Sequence, residues 1–308
     1  MANKVYDLLI LGAGPAGITA SVYAVRKKID FLVITRDIGG QTTWSGDIEN
    51  YTGYQFITGP QLTRKFQDHM DSYGITVKMP QAVTAIGYND AMFTVTTDEA
   101  EYLSRTLIIA TGKQPRRLGV PGEEEFRNRG VTYCATCDGP VFKDKPVAII
   151  GGGNSALDAA LQMMKISPQV YLINNTATLH GDAVMIEKVE NAKNIEIRNN
   201  TRIKNIQGEK FVKKIVIGQE SRETSLDVEG VFIEIGLTPN SGFTDIVRKN
   251  EHGEIIVDCH NQTNIQGLFA AGDVTNVPEK QIIIAAGEGA KAALSAFRHL
   301  NLNTFEYL

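Results

Sequence analysis

The 308-residue chain is poor in cysteine, with three, and in tryptophan, with one. Three cysteines cannot build the disulfide framework of a small secreted domain. They also fall short of a structural zinc site, which usually takes four ligands in closely spaced pairs. Only Cys259 and the five histidines (His69, His180, His252, His260, His299) would be left to complete one, and no second Cys-x-x-Cys or His-x-x-x-His spacing exists. Excess positive charge is missing as well. The 31 Lys and Arg against 35 Asp and Glu give a net charge of −4, so no broad cationic face is expected to neutralise phosphates. No apolar run reaches the ~18 residues that a membrane span needs. The start, Met1-Ala-Asn-Lys4, has no basic segment followed by an apolar one, so no secretory signal is expected. These absences lead us to expect a cytoplasmic protein with no metal, no nucleic-acid partner and no membrane partner.

The composition is that of a globular protein, 43% hydrophobic and 21% charged, and the length suggests about two domains. Val5-Tyr-Asp-Leu-Leu-Ile-Leu11 reads as a buried parallel strand. It runs into Gly12-Ala-Gly14-Pro15-Ala16-Gly17, followed by a helical stretch from Ile18 to Lys28 and a second strand, Asp30 to Thr35. In that setting the glycines have separate tasks. Gly12 allows the tight turn, Gly14 lets the backbone approach a pyrophosphate, and Gly17 lets helix and strand pack closely. The helix N-terminus adds free N–H groups. Asp37, just past the second strand, lies a little late for the usual ribose-binding acid. The pattern recurs 139 residues on: strand Pro146–Ile150, then Gly151-Gly-Gly153-Asn154-Ser155-Ala156, a helix from Ser155 to Met164, and strand Val170–Ile173. Leu107 to Gly112 and Gly267 to Asp273 read as further strands ending in small residues. In the latter, Gly272 permits close approach, and Asp273 reads either as an acceptor for a flavin ribityl hydroxyl or as a turn-forming residue at a strand end.

Two Gly- and Pro-rich stretches, Gly112–Gly122 and Gly236–Gly242, have the composition of hinges. The fold expected is α/β, with two Rossmann-like dinucleotide-binding domains, the second inserted into the first. Residues 1–114 and 243–308 would form the discontinuous first domain and 115–242 the inserted one.

Between the two glycine loops lies Cys134-Ala-Thr-Cys137-Asp138. A Cys-x-x-Cys at a helix start lets the helix dipole lower one thiol pKa, and the thiolate is the species that attacks a disulfide. Asp138 is placed to move the proton that such exchange requires, or to serve as a helix cap or turn residue. Cys259 reads as a half-buried unpaired cysteine.

Together with Gly39-Gly40-Gln41, Ile48-Glu49-Asn50-Tyr51, Tyr133–Gly139, Ala271–Val274 and Lys280–Gly289, these motifs resemble the low-molecular-weight thioredoxin reductases along nearly the whole chain. These are FAD-dependent pyridine nucleotide-disulfide oxidoreductases. The stretch from Gly151 onward and Gln281–Gly289 look most like the flavoprotein component of alkyl hydroperoxide reductase. The chain is expected to lack the N-terminal thioredoxin-like extension that such components carry. The resemblance implies FAD held by Gly12, Gly14, Pro15, Ala16, Gly17, Gly40, Gln41, Asn50, Thr111, Gly112, Gly272, Asp273, Lys280, Gln281 and Ile282. It implies that Cys137 takes electrons from the flavin and that Cys134 attacks the substrate disulfide. It further implies rotation of the inserted domain about the hinges, a homodimer, and thioredoxin or a thioredoxin-like protein as partner.

The second loop would hold a nicotinamide dinucleotide through Gly151, Gly153, Asn154, Ser155 and Ala156. NADPH-dependent members of the family carry a His-Arg-Arg run after the following strand. Here the run is Ile173-Asn174-Asn-Thr-Ala-Thr-Leu-His180, and no Lys or Arg occurs from Val170 until Lys188. A 2′-phosphate would lack a guanidinium partner, whose loss costs ~1.5–3 kcal/mol. Asn174 is instead read as a partner for free ribose hydroxyls, and NADH is expected over NADPH. Other readings of the same motifs are a ferredoxin-fed reductase, a dithiol oxidase producing hydrogen peroxide, and a non-enzymatic flavin-binding redox regulator.

Overall fold

The computed structural model describes residues 4–302 except Gly46, Glu49, Glu220 and Ser221, and only the backbone of Trp44, Asp47, Thr136, Cys137 and Gln219. Glu49, part of the Ile48–Tyr51 motif, therefore lies outside the described residues. The chain divides into two compact units. Residues 1–114 and 238–308 form the first and residues 115–237 the second. The segment from Thr238 to Gly242, counted with the insert on composition, packs with the first unit. The two chain crossings, Lys113–Pro115 and Leu237–Pro239, pair as a two-stranded sheet.

The first unit is built on a seven-stranded sheet. Its spatial order is Val77–Lys78, Phe31–Ile38, Val5–Ala13, Glu101–Ile109, Met92–Thr97, Val83–Asn89, with Leu268–Ala270 added beside Glu101–Ile109. The pairs around Val5–Ala13 are parallel, while Val83–Ile109 folds as an antiparallel meander. The apolar run Leu8-Leu-Ile-Leu11 is 0% exposed because both faces of this strand are covered. Leu8 and Ile10 enter one core and Leu9 and Leu11 the other. Burying each such side chain contributes ~1.5–3 kcal/mol.

Helix Pro15–Arg26 starts with proline in its first turn and has a glycine, Gly14, as N-cap. It packs on the long C-terminal helix Ile282–Leu302. Ala16, Ala20 and Ala24 meet Ala285, Ala292 and Ala296 in one small-residue core. Gly289 makes the approach possible, since a Cβ there would sit 2.0 Å from the Ala16 carbonyl oxygen. Helix Gly59–Ser72 opens with a capping box between Thr58 and Gln61, which satisfies end amides that a helix cannot bond internally.

The second unit has a five-stranded, wholly parallel sheet in the order Val131–Thr132, Gly230–Ile233, Val147–Ile150, Val170–Ile173, Ile195–Arg198. Helices Asn154–Met163 and Ala183–Glu190 cover one face around Val147, Ile149, Val170 and Leu172. An antiparallel three-stranded sheet, Arg202–Gly208, Val212–Gln219 and Arg222–Asp227, supplies Ile203, Ile215 and Ile217 to the core on the other.

In each unit the chain leaves the central strand to one side and returns on the other. Val5–Ala13 lies between Phe31–Ile38 and Glu101–Ile109, and Val147–Ile150 lies between Val170–Ile173 and Gly230–Ile233. The crevice at the carboxyl end of such a central strand is where open α/β sheets bind ligands. The fold is α/β, with a Rossmann-like parallel core in both units. Cys259 is an exposed free cysteine, not the half-buried one expected, because it sits in a surface turn ahead of His260. No helix of the described residues is long and apolar enough to cross a membrane, and no cluster of three or more His, Cys, Asp or Glu among them could hold a metal.

Gly289→Ala is expected to lower stability by ~1–3 kcal/mol or more, because the added carbon meets rigid backbone rather than a flexible side chain. Thermal unfolding would check this, with Gly287→Ala as the control, since a Cβ at Gly287 meets nothing within 4 Å.

Candidate functional site

The first crevice forms where three backbone segments meet. Gly12 has φ +103°, and a Cβ on it would lie 2.4 Å from the Ala110 carbonyl oxygen. A Cβ on Gly17 would lie 1.9 Å from the Gly12 carbonyl oxygen. Turn, helix and neighbouring strand are thus in backbone contact. Gly14 differs, for a Cβ there meets nothing within 4 Å. It caps helix Pro15–Arg26 without a side-chain hydrogen bond to the first-turn amides. Gly40 stands opposite, its Cβ position 3.7 Å from the Gly14 Cα, and Gln41 follows in a short 3-10 turn. Open space at Gly14 beside uncapped helix amides is the geometry that takes a pyrophosphate.

Gly272 (φ +77°) brings the Ala271–Val274 turn against this helix, with its Cβ position 3.0 Å from the Ala16 Cβ. The Asp273 carboxylate has no hydrogen bond or ion pair among the described residues. Burial pushes its pKa up, while Lys280 and Lys113 pull it down. An enclosed carboxylate left unpaired is costly, and a hydroxyl donor such as a ribityl chain would satisfy it. Asn50 and Gln281 meet directly, Asn50 Nδ2 donating to Gln281 Oε1 at 3.0 Å. Gln281 also precedes the C-terminal helix and accepts the Ala285 N–H at 2.9 Å. Ile282 packs on the cluster of Ile48, Ile57 and Leu62. Thr111 is engaged with its neighbour. Its hydroxyl donates to the Asn240 carbonyl at 2.7 Å, and Asn240 Nδ2 donates to the Thr111 carbonyl at 2.8 Å. Gly112 (φ +65°) turns the chain there and accepts the Asn240 N–H. Asp37 faces solvent and accepts the Gly40 N–H, so it holds the turn. The open space at Gly14, the uncapped first-turn amides and the unpaired Asp273 carboxylate fit a dinucleotide that carries a polyhydroxyl chain, as FAD does.

Lys280 belongs to a cluster that motif reading could not assemble. Its Nζ lies 3.1 Å from Glu254 and donates to the Thr275 carbonyl, while Lys113 lies 2.6 Å from the same Glu254 oxygen. Burial works against ionisation of Glu254, but the bonds from Lys113, Asn250 and Lys280 outweigh it and hold its pKa at about 2.

The second crevice repeats the pattern. Gly151 (φ +144°) passes the Glu234 carbonyl, where a Cβ would lie 2.2 Å from the oxygen, and Ala156 is 0% exposed beneath the turn. Gly153 caps helix Asn154–Met163. Asn154 accepts the Asp182 N–H at 2.8 Å, and Ser155 is exposed at the helix start. Asn174 has a different task from the ribose contact read from sequence. It is 2% exposed, and its Nδ2 is used by Thr176, Thr178 and Asn199 while its Oδ1 accepts from Thr176. It also fills the space over Gly152, whose Cβ would lie 2.4 Å from Asn174 Oδ1. Asn174 therefore shapes the loop that leads to His180, which is exposed and accepts a bond from or donates one to Thr176 at 3.3 Å.

Cys134 is disulfide-bonded and sits at the start of the short helix Ala135–Asp138. The side chain of Cys137 lies outside the described residues. Thr132 organises this turn. Its hydroxyl accepts the Cys134 N–H at 3.2 Å and donates to Asp138 Oδ2. Asp138 makes no side-chain cap to the turn that follows it, so its carboxylate is held toward Thr132 and Cys134. Glu234, on the other side, accepts the Ala135 N–H at 3.3 Å. A cavity of about 500 Å³ opens beside Thr132 and Asp138, with Val141 and Phe211 exposed at its rim. Sequence reading missed Thr132, Asn240 and Glu234. Thr132 precedes the cysteine motif by two residues, but Glu234 is brought there only by the sheet.

Residues 6–289 match the family described as pyridine nucleotide-disulphide oxidoreductase. The chain belongs to that family. Within it, the chain is 40% identical to the F subunit of alkyl hydroperoxide reductase from Staphylococcus aureus (strain MSSA476) over 302 residues, 97% of this chain and 60% of that protein. A protein of Ferdinandcohnia aciditolerans named NADH dehydrogenase is 39% identical, with 97% and 58% covered. The chain thus spans about three fifths of the length of these relatives. Among solved structures, thioredoxin reductase of Lactococcus lactis superposes with a TM-score of 0.78 at 34% identity, covering 96% of this chain and 99% of that one. The Streptococcus pyogenes thioredoxin reductase gives 0.77 at 35%, covering 98% and 100%. A ferredoxin-flavin thioredoxin reductase of Clostridium acetobutylicum gives 0.54 at 30%, covering 96% and 98%.

Because the Glu254 pKa lies below its ordinary value near 4.5, the stabilisation it provides is present above that value and is lost as pH falls toward 2. Glu254→Gln is expected to cost ~3 kcal/mol at neutral pH. In urea unfolding the deficit should shrink steadily once the pH drops below the ordinary carboxylate range.

Proposed function

We propose that this chain is an FAD-dependent disulfide reductase. Electrons pass from NADH, favoured over NADPH, to the Cys134–Cys137 disulfide and on to thioredoxin or a thioredoxin-like protein. The observation that carries the reading is Cys134, disulfide-bonded at a helix start with Thr132 and Asp138 arranged around its amide. Gly12, Gly14, Asp273 and Gln281 would be among the residues holding FAD, which when bound would supply two-electron transfer between the nicotinamide and that disulfide. Reduction of the disulfide takes two electrons and two protons. The Cys134 thiolate then attacks the partner disulfide, forming a mixed disulfide and releasing one partner thiolate. Cys137 attacks the Cys134 sulfur, which restores the internal disulfide and releases the second. Asp138, linked to the Cys134 amide through Thr132, is placed to move the proton that this exchange requires. The apolar rim at Val141 and Phe211 beside Asp138 suits a protein partner, since exposed apolar residues around a cavity are typical of contact surfaces. Similarity to thioredoxin reductases over 96–98% of this chain supports this partner class.

The donor preference rests on the loop from Asn174 to Asp182, which has no Lys or Arg. A ferredoxin-fed reductase is the second reading, favoured by the full engagement of Asn174 within its own loop, which leaves it no hydrogen bond for a ribose.

Anaerobic reduction of the flavin, followed by its visible absorbance, distinguishes these donors. NADH is expected to act about tenfold or more faster than NADPH at matched low concentration, the factor set by one charge-assisted contact. A preference for NADPH would overturn the donor assignment, and response to reduced ferredoxin alone would establish the second reading. Cys134→Ser is expected to abolish reduction of thioredoxin while leaving flavin reduction intact. Thioredoxin reduction that survives the substitution would remove Cys134 from its role.

A further inference from the structure

The cysteine helix has a second carboxylate beside it, brought there by the sheet rather than by the motif. Glu234 follows strand Gly230–Ile233, which runs parallel to Val147–Ile150. Two contacts fix its backbone. The Glu234 N–H donates to the Ile150 carbonyl at 2.8 Å, and the Gly151 turn presses on the Glu234 carbonyl so closely that no Cβ would fit between them. From this anchored position the side chain reaches Ala135, whose N–H donates to Oε1 at 3.3 Å. Ala135 is 5% exposed, so water has little access to that amide. It is also the residue bonded to Cys134 and the first of the helix.

We infer that Glu234 is a positioning residue of the redox site: it holds the first amide of the cysteine helix, and its charge opposes formation of the Cys134 thiolate. The inference rests on the reading of Cys134 as the attacking thiol. Helix amides next to a cysteine ordinarily favour its thiolate. Here one of them is already given to a carboxylate, and a negative charge stands one residue from the sulfur. Asp138 does not duplicate this role, because Thr132 holds it on the Cys134 N–H.

Among the described residues, the cysteine helix presents the Ala135 amide to Glu234, helix Asn154–Met163 presents Asp158, and the Gly151 turn lies against its backbone carbonyl. Burial pushes the Glu234 pKa up to about 7, with the Ala135 amide pulling it down and Asp158 adding to the rise. Glu234 therefore changes charge near neutral pH. As an anion it opposes the thiolate, and as a neutral acid it does not, so the two groups titrate as a coupled pair.

The test is alkylation of the chemically reduced holoenzyme by iodoacetamide from about pH 5 to 9, with Cys134 labelling read by mass spectrometry. Glu234→Gln is expected to lower the midpoint of Cys134 labelling by about one pH unit, with faster labelling than wild type around and above pH 7, where Glu234 is an anion, and equal rates near pH 5, where it is neutral. Glu234→Asp keeps the charge and should keep the wild-type midpoint; retained flavin absorbance in both variants confirms folding. A midpoint in Glu234→Gln equal to that of the wild type would falsify the inference while leaving Cys134 as attacking thiol. Failure to label Cys134 at every pH in all three proteins would overturn both. The readout needs neither electron donor nor protein partner, so it is independent of the tests of those assignments.

Discussion

The structure depends on backbone lying directly against backbone, at positions where a single carbon would prevent it. Gly17 over Gly12, Gly12 over Ala110, Gly289 over Ala16 and Gly151 over Glu234 are all separated by less than the room a Cβ requires. These contacts fix where each helix begins relative to its sheet. Once they are in place, the uncapped amides of helix Pro15–Arg26 point into the crevice, and Gly14 leaves the space in front of them open. The same restriction that removes side chains from the turns therefore aims the binding groups. It also explains why the helix pair beneath the first crevice is lined with alanine, since larger residues would push the backbones apart.

What can be read from sequence follows the range over which the physics acts. Local patterns are legible. Leu8 to Leu11 is apolar at every position because the strand is buried on both faces, and the glycine loops announce turns through their spacing. Cysteines with two residues between them declare a dithiol in the same way. Contacts set by strand order are not legible. Glu234 lies about a hundred positions from Ala135 in the chain, and nothing in its neighbours marks it as part of the cysteine site. Lys113, Glu254 and Lys280 form one charged cluster from three distant segments. The antiparallel meander Arg202–Asp227 escapes sequence reading because its strands, half polar and edge-like, carry only weak alternation.

Asn174 shows the limit of reasoning from residue type and position. Its place after the second strand is one where dinucleotide enzymes often carry a ribose ligand. Its amide is consumed instead by the loop it organises, because a buried amide must satisfy all its hydrogen-bonding groups and the nearest partners are Thr176, Thr178 and Asn199. The two crevices are thus equivalent in backbone and unlike in chemistry. The first leaves a carboxylate unpaired, and the second has already committed its polar side chain internally.

The paired crossings Lys113–Pro115 and Leu237–Pro239 have a consequence for assembly of the chain. The first unit is interrupted, and strand Leu268–Ala270 must find Glu101–Ile109 across the whole insertion. Left unfolded, that insertion would be a very long loop to close. Once folded, it presents its two ends side by side, with the Arg116 N–H bonded to the Gly236 carbonyl at 2.9 Å. The entropy cost of loop closure grows with the number of free residues between the ends, and a folded insert takes residues 115–237 out of that number, leaving residues 110–114 and 238–267. The second unit thereby acts as a clasp, shortening the loop that the surrounding domain must close to pair these two strands.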